Sequence, residues 1–112
     1  MKVYILFAHP SKASFNRQVL EAVTQGIQDA GHMYDINDLY ETDFQSDMDL
    51  DQYQREVGLN PDAPVPHDVT IEQQKVNGAD VLAFIYPVWW SDCPAKLKGW
   101  FDRVCTYGYA YL

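Results

Sequence analysis

The residue types best suited to binding chemistry in this sequence are two neighbouring tryptophans in a loop. The loop follows an apolar run of strand length at residues 81–86 and contains Pro87, Val88, Trp89, Trp90 and Ser91. Backbone amides in such a loop can reach the polar edge of a planar ring while an indole packs on its face. The pattern indicates contact with a flat ligand; the alternative is that both indoles close the core above the sheet.

A second loop, rich in hydrogen-bonding side chains, follows the first apolar run of the chain at residues 3–8. It contains His9, Ser11, Ser14 and Asn16. The amino terminus of the next helix offers unpaired amides and the positive end of a dipole, which together can bind a phosphate group. The loop lacks the glycine-rich fingerprints of dinucleotide and nucleoside triphosphate sites, so the alternative is a plain turn in which Ser14 caps the helix.

The cysteines and histidines give weaker signals. Cys93 precedes a predicted helix, whose dipole would lower the pKa of its thiol, but no histidine lies near it in sequence and we expect a structural thiol. Cys93 and Cys105 would lie about 16 Å apart along that helix, too far for a disulfide. The three histidines show no metal-ligand spacing, so we predict no metal site.

Length and charge narrow the class of protein. The chain has 112 residues and a formal net charge of -8, which fits one acidic domain and disfavours nucleic acid and anionic membrane surfaces as partners. The apolar run after Met1 is too short for a spanning helix and lacks the layout of a signal peptide. We therefore expect a cytoplasmic protein without membrane insertion, in agreement with the free thiols.

Hydrophobic periodicity predicts three strands that alternate with three helices. The strands are predicted at residues 3–8, 32–39 and 80–86, and the helices at about 14–30, 68–77 and 94–105. The expected buried stripe of the first helix contains Phe15, Val19, Val23 and Ile27. That of the last helix contains Leu97, Trp100, Phe101 and Val104, with Arg103 on a polar face. Residues 42–67 show no sustained periodicity and are predicted to form a long loop.

This alternation predicts a single α/β domain over residues 1–112 with a parallel sheet. In a flavodoxin-like sheet these strands lie in the order 2-1-3, which places the carboxyl ends of the first and third strands side by side. The tryptophan loop and the hydroxyl-rich loop would then border one crevice.

Four stretches carry a resemblance to a known family. They are AHPSKASFN at 8–16, DLYETDF at 38–44, EQQKVNGAD at 72–80 and YPVWWSDCPAKLKGWFDRV at 86–104. With them the chain resembles the amino-terminal part of the flavodoxin-like NAD(P)H:quinone oxidoreductases of the DT-diaphorase type, a family that includes bacterial potassium-efflux ancillary reductases.

The resemblance implies a flavoenzyme that carries FAD or FMN and passes a hydride from NAD(P)H through the flavin to a quinone. The residues that would hold the phosphate end of the flavin are His9, Ser14, Phe15 and Asn16. Those that would line its isoalloxazine ring are Pro87, Val88, Trp89, Trp90 and Ser91. Trp90 and Ser91 would also border the space for nicotinamide and quinone, where relatives often have an aromatic residue in place of Ser91. Tyr111 would face the site of the partner subunit in a homodimer.

The same resemblance implies strands beyond those in this sequence. Related proteins are longer, and the sheet predicted here lacks their last two strands, so we expect either a chain truncated at its carboxyl end or an assembly that covers the third strand. A flavin-binding or dimerisation module without turnover is the main alternative function. A one-electron flavodoxin-type carrier is a weaker one, because paired tryptophans favour hydride chemistry.

Overall fold

The computed structural model describes residues 1–112 and contains three strands and four helices. In chain order these are β1 (Lys2–Phe7), α1 (Phe15–Asp29), β2 (Met33–Asp38), α2 (Leu50–Val57), α3 (His67–Asn77), β3 (Val81–Ile85) and α4 (Ala95–Val104). All six predicted elements are present, with ends that differ from the prediction by at most one residue. No helix is both long and apolar enough to cross a membrane.

The three strands form one parallel sheet in the order β2-β1-β3, which confirms the predicted arrangement. β1 lies in the centre because its apolar run suits a strand that is covered on both faces. Its side chains alternate between two core clusters: Tyr4 and Leu6 pack on one side of the sheet, and Ile5 and Phe7 on the other. β3 pairs only with β1 within this chain.

The helices cover both faces of the sheet. The cluster around Ile5 and Phe7 includes Leu20 of α1, whereas the cluster around Tyr4 and Leu6 includes Leu97 and Trp100 of α4. Trp100 is 2% exposed, so its predicted place in the core is confirmed.

Helix α2 corrects the prediction of a long loop at residues 42–67. The Asp49 side chain caps it by accepting a hydrogen bond from the Gln52 amide at 2.8 Å. Its buried residue is Gln52, whose amide nitrogen donates to the Arg103 carbonyl at 2.8 Å. Because polar residues form the buried side of α2, its sequence carries no apolar stripe that periodicity could detect.

Arg103 was predicted on a polar face of α4 and is instead 2% exposed. Its guanidinium forms a two-pronged ion pair with Asp68 at 2.6 and 2.9 Å, and it also donates to Gln52 Oε1 at 3.0 Å and the Gln45 carbonyl at 2.9 Å. These partners compensate the cost of burying a charge. Arg103 thereby ties α2, α3 and the turn before α2 to α4.

Candidate functional site

The two loops singled out in the sequence begin side by side at the carboxyl edge of the sheet. Phe7 at the end of β1 is paired with Ile85 at the end of β3, and the Ala8 amide donates to the Ile85 carbonyl at 3.0 Å. In open parallel sheets this edge is where ligands bind. The first loop covers residues 8–14 and the second covers residues 86–92.

The first loop is shaped by its own side chains. His9 Nδ1 accepts from the Ser11 amide at 2.9 Å, and Ser11 Oγ accepts from the Ala13 amide at 3.1 Å. Ser14 is the N-cap of α1, and its Oγ accepts from the Arg17 amide at 3.1 Å. The predicted cap is therefore confirmed, and the loop is held in a fixed path toward the helix.

The start of α1 suits an anion. The amides of Phe15 and Asn16 lie in the first helical turn, where no partner is available within the helix. That turn contains no acidic side chain. Two cationic side chains lie close to this turn. Lys12 forms an ion pair with Glu41, and Arg17 forms one with Asp38. This donor set fits the phosphate end of a flavin.

Phe15 departs from its predicted place in the buried stripe of α1. Its side chain is 76% exposed, because it lies at the first position of the helix, beyond the area that the sheet covers. The ring is therefore free to contact a ligand at the loop.

The second loop contains a tight hairpin at its tip. The Trp89 amide donates to the Asp92 carbonyl at 2.9 Å, and the Asp92 amide donates to the Trp89 carbonyl at 3.2 Å. Trp90 and Ser91 form the turn between them with φ angles of 52° and 65°. Positive φ at both central positions defines a type I′ turn, which strongly favours Asn and Gly. A tryptophan there is strained, and such strain concentrates at functional sites.

The hairpin exposes the residues that were expected to line a ring. Trp90 is fully exposed, and Val88 is 70% exposed. The amides of Val88, Trp90 and Ser91 make no hydrogen bond within the chain. The alternative in which both tryptophans close the core is therefore wrong. The loop offers unpaired amide donors next to exposed aromatic side chains.

His9 and Trp89 join the two loops. Their rings meet edge to face, with centroids 6.2 Å apart and planes at 63°. This contact gives the predicted crevice a wall to which both loops contribute.

Tyr111 lies in a different part of the structure, in the turn after α4. Its ring packs on Tyr107 at 5.5 Å and makes no aromatic contact with either loop tryptophan. The Gly108 amide donates to the Tyr111 carbonyl at 2.7 Å. Within one subunit, the structure therefore does not bring Tyr111 together with the other predicted site residues.

Two charged residues of α2, which no sequence pattern singles out, hold this terminal turn. Arg55 Nη1 donates to the Tyr107 carbonyl at 3.1 Å, and Glu56 Oε1 accepts from the Tyr107 amide at 2.9 Å. Gly108 has a φ of +88°, and a Cβ built on it would lie 2.5 Å from Pro61 Cβ. A charged pair in an acidic, proline-rich stretch gives no sequence signal of such a role.

The thiol of Cys93 corrects another expectation. Burial and the neighbouring Asp92 carboxylate raise its pKa, in place of the lowering expected from the helix dipole. Burial likewise raises the pKa of Cys105, and both cysteines are free. Neither thiol is suited to act as a nucleophile. No group of three or more His, Cys, Asp or Glu side chains is placed to hold a metal ion.

Comparison with known proteins gives consistent matches along the whole chain. The family model for the flavodoxin-like fold matches residues 1–112. Among curated proteins, NAD(P)H dehydrogenase [quinone] 1 of Cavia porcellus is 36% identical over 98% of this chain and 45% of its own length. The ribosyldihydronicotinamide dehydrogenase-like protein traD of Penicillium crustosum is 34% identical over 99% of this chain and 46% of its own length.

Solved structures agree with these relatives. An NAD(P)H:quinone oxidoreductase from Methanothermobacter marburgensis superposes with a TM-score of 0.98 and 59% identity, over all of this chain and 56% of that one. The general stress protein 14 of Treponema denticola, solved in complex with FMN, has a TM-score of 0.67 and 28% identity over 99% of this chain and 52% of that one. The chain thus spans about half the length of these relatives.

Proposed function

Since this chain belongs to the family of flavodoxin-like NAD(P)H:quinone oxidoreductases, we propose that it takes part in the reduction of quinones by NAD(P)H with FMN or FAD as cofactor. The observation that carries the proposal is the edge-to-face contact of His9 and Trp89, which links the two loops at the carboxyl edge of the sheet. Bound there, the flavin would supply the hydride chemistry, and the protein would supply position and electrostatics.

The first loop would bind the phosphate end. The Phe15 and Asn16 amides and the positive end of the α1 dipole would attract the phosphate, and the capped conformation of Ser14 would hold that helical turn in place. His9 would pack beside the cofactor because its ring is already fixed by the Ser11 amide and by Trp89.

The second loop would bind the ring. Pro87 lies two residues after β3 and has no amide hydrogen to continue the sheet. The unbonded amides of Val88, Trp90 and Ser91 would be available to the polar edge of an isoalloxazine. The indole faces of Trp89 and Trp90 would cover the ring and keep water from it. We assign Trp90 and Ser91 to the border of the pocket in which nicotinamide and quinone would alternate.

We further propose a cytoplasmic homodimer in which Tyr111 reaches the site of the partner subunit. Two observations support this role: Tyr111 is 55% exposed, and its turn is held firmly by Arg55 and Glu56. The free state of both cysteines supports a reducing compartment.

Steady-state kinetics test the proposal. Oxidation of NADH and of NADPH by a soluble quinone is measured with the protein equilibrated with FMN or with FAD. Turnover that requires protein, flavin and quinone together is the expected result. Flavin binding without NAD(P)H oxidation would leave only the module without turnover, and the absence of both would overturn the assignment of the loops.

A further inference from the structure

A cavity of about 400 Å³ lies apart from the two loops, between the end of β2 and the first two turns of α3. Its wall includes Ile36, Phe44 and Ile71 as apolar members and Asn37, Asp68 and Glu72 as polar ones. None of the residues predicted to hold flavin lines it. The proposed function therefore gives this cavity no role.

Glu72 is the unusual member of the wall. It is 4% exposed, yet it forms no ion pair. Its Oε1 accepts three hydrogen bonds, from Tyr4 Oη at 2.6 Å, Asn37 Nδ2 at 2.9 Å and Trp100 Nε1 at 2.8 Å. Burial and the bond to Glu72 raise the pKa of Tyr4, so its hydroxyl stays protonated and keeps donating.

The second oxygen of Glu72 is left free. Oε2 takes part in no hydrogen bond, whereas every fully buried side-chain oxygen or nitrogen of the protein has a hydrogen-bond partner. Oε2 is therefore accessible, and the accessible space beside Glu72 is the cavity. Three donors fix the carboxylate from behind and present one oxygen forward, as preorganised binding groups do.

The other charges around the cavity are already compensated. Asp68 is paired with Arg103, Asp43 with Lys96, and Lys75 with Asp35 at 3.6 Å. Lys75 also lies over the Tyr4 ring at 5.7 Å from its centroid. Glu72 is thus the one buried carboxylate of the wall without a cation, and such a charge favours a cationic partner.

We propose that this cavity binds a small organic cation, in which a primary ammonium donates to Glu72 Oε2 and an apolar body packs on Ile36, Phe44 and Ile71. This class of ligand is favoured over a metal ion, because no three metal-ligating side chains of the wall lie close enough together to hold one. The site is independent of flavin binding, so its failure would leave the proposed function untouched.

Chemical shift titration of the isotope-labelled protein tests the site with 2-phenylethylammonium as probe. Saturable shifts are expected at the amides of residues 36–37, 44 and 71–72, with a dissociation constant on the order of millimolar for so small a ligand. The neutral analogue 2-phenylethanol has the same body and lacks the charge. It should bind at least tenfold more weakly.

Two variants with the same change of charge separate the site from the general field of an acidic protein. Glu72→Gln keeps one acceptor for the three donors and turns an amide toward the cavity, so probe affinity should fall at least tenfold. Glu21→Gln makes the same change on the exposed surface of α1, away from the cavity, and should leave the affinity unchanged.

Equal binding of 2-phenylethanol, equal effects of the two variants, or shifts confined to other regions would overturn the proposal. If Glu72→Gln does not fold, the charged and neutral probes on the unaltered protein still show whether the cavity prefers a cation.

Discussion

The imidazole of His9 and the indole of Trp89 meet edge to face with centroids 6.2 Å apart, although they come from loops in opposite halves of the chain. Edge-to-face pairs contribute about 0.5–1.5 kcal/mol beyond the area they bury. The contact forms because the parallel pairing of Phe7 with Ile85 brings the ends of β1 and β3 together. One consequence is that the phosphate end and the ring end of the proposed site are mechanically linked.

Replacing Trp89 by alanine should weaken flavin binding by a factor of about 5 to 30, since stacking and the support of His9 are lost together. The measurement is a fluorescence titration with FMN and with FAD. Tyr53→Ala in α2 is the matched control, because Tyr53 is 55% exposed and does not line the two loops. Equal flavin affinities in the two variants would show that Trp89 does not contact the flavin and has only a structural role.

Ser14→Asp should separate capping from phosphate binding. Aspartate caps a helix as well as serine, so the midpoint of urea unfolding should stay close to that of the unaltered protein. The new negative charge at the start of α1 should weaken FMN binding at least tenfold while affecting riboflavin, which has no phosphate, much less. A similar loss for both flavins would show that the phosphate does not lie at this helix terminus.

Arg55→Ala should release the turn that carries Tyr111. Loss of the partly buried hydrogen bonds to the Tyr107 and Ala63 carbonyls should lower the free energy of unfolding by about 2–3 kcal/mol and speed hydrogen exchange at the amides of residues 107–111. Lys98→Ala removes an exposed ion pair with Asp102 in α4 and should change neither quantity appreciably. Unchanged exchange in Arg55→Ala would contradict the anchoring role.

The ion pair of Asp68 with Arg103 predicts a loss of stability in acid. The guanidinium holds the pKa of Asp68 below its ordinary value of 3.8 in the folded protein. The folded state therefore binds this proton less readily than the unfolded state, so the stabilisation is present above pH 4 and is lost as the pH falls through the lowered pKa. Urea midpoints measured from pH 7 to pH 2.5 should fall less steeply below pH 4 for Asp68→Asn than for the unaltered protein. Parallel profiles would contradict the assignment.

Much of this architecture could be predicted from the sequence because apolar patterns report burial. The continuous run of β1 and the stripe that contains Trp100 placed the sheet and α4 correctly. Helix α2 and the buried Arg103 could not be predicted, because polar contacts between residues far apart in sequence replace apolar ones there.

The candidate site could likewise be predicted only in part. The N-cap at Ser14 follows from local helix chemistry. The strained, exposed hairpin at Trp90 and Ser91 has no sequence signal, since neither residue is typical of a type I′ turn. The raised pKa of Cys93 comes from burial and from the Asp92 carboxylate, which three-dimensional geometry reveals.

Hydride transfer through a bound flavin is tested most directly by an anaerobic titration followed by visible absorption. The protein is saturated with FMN or FAD, reduced with NADH or NADPH, and then mixed with a soluble quinone. The absorption of the bound flavin is expected to bleach with about one equivalent of the nicotinamide and to return in full when the quinone is added. A bound flavin that stays oxidised in the presence of both nicotinamides, or a reduced flavin that the quinone does not reoxidise, would contradict it.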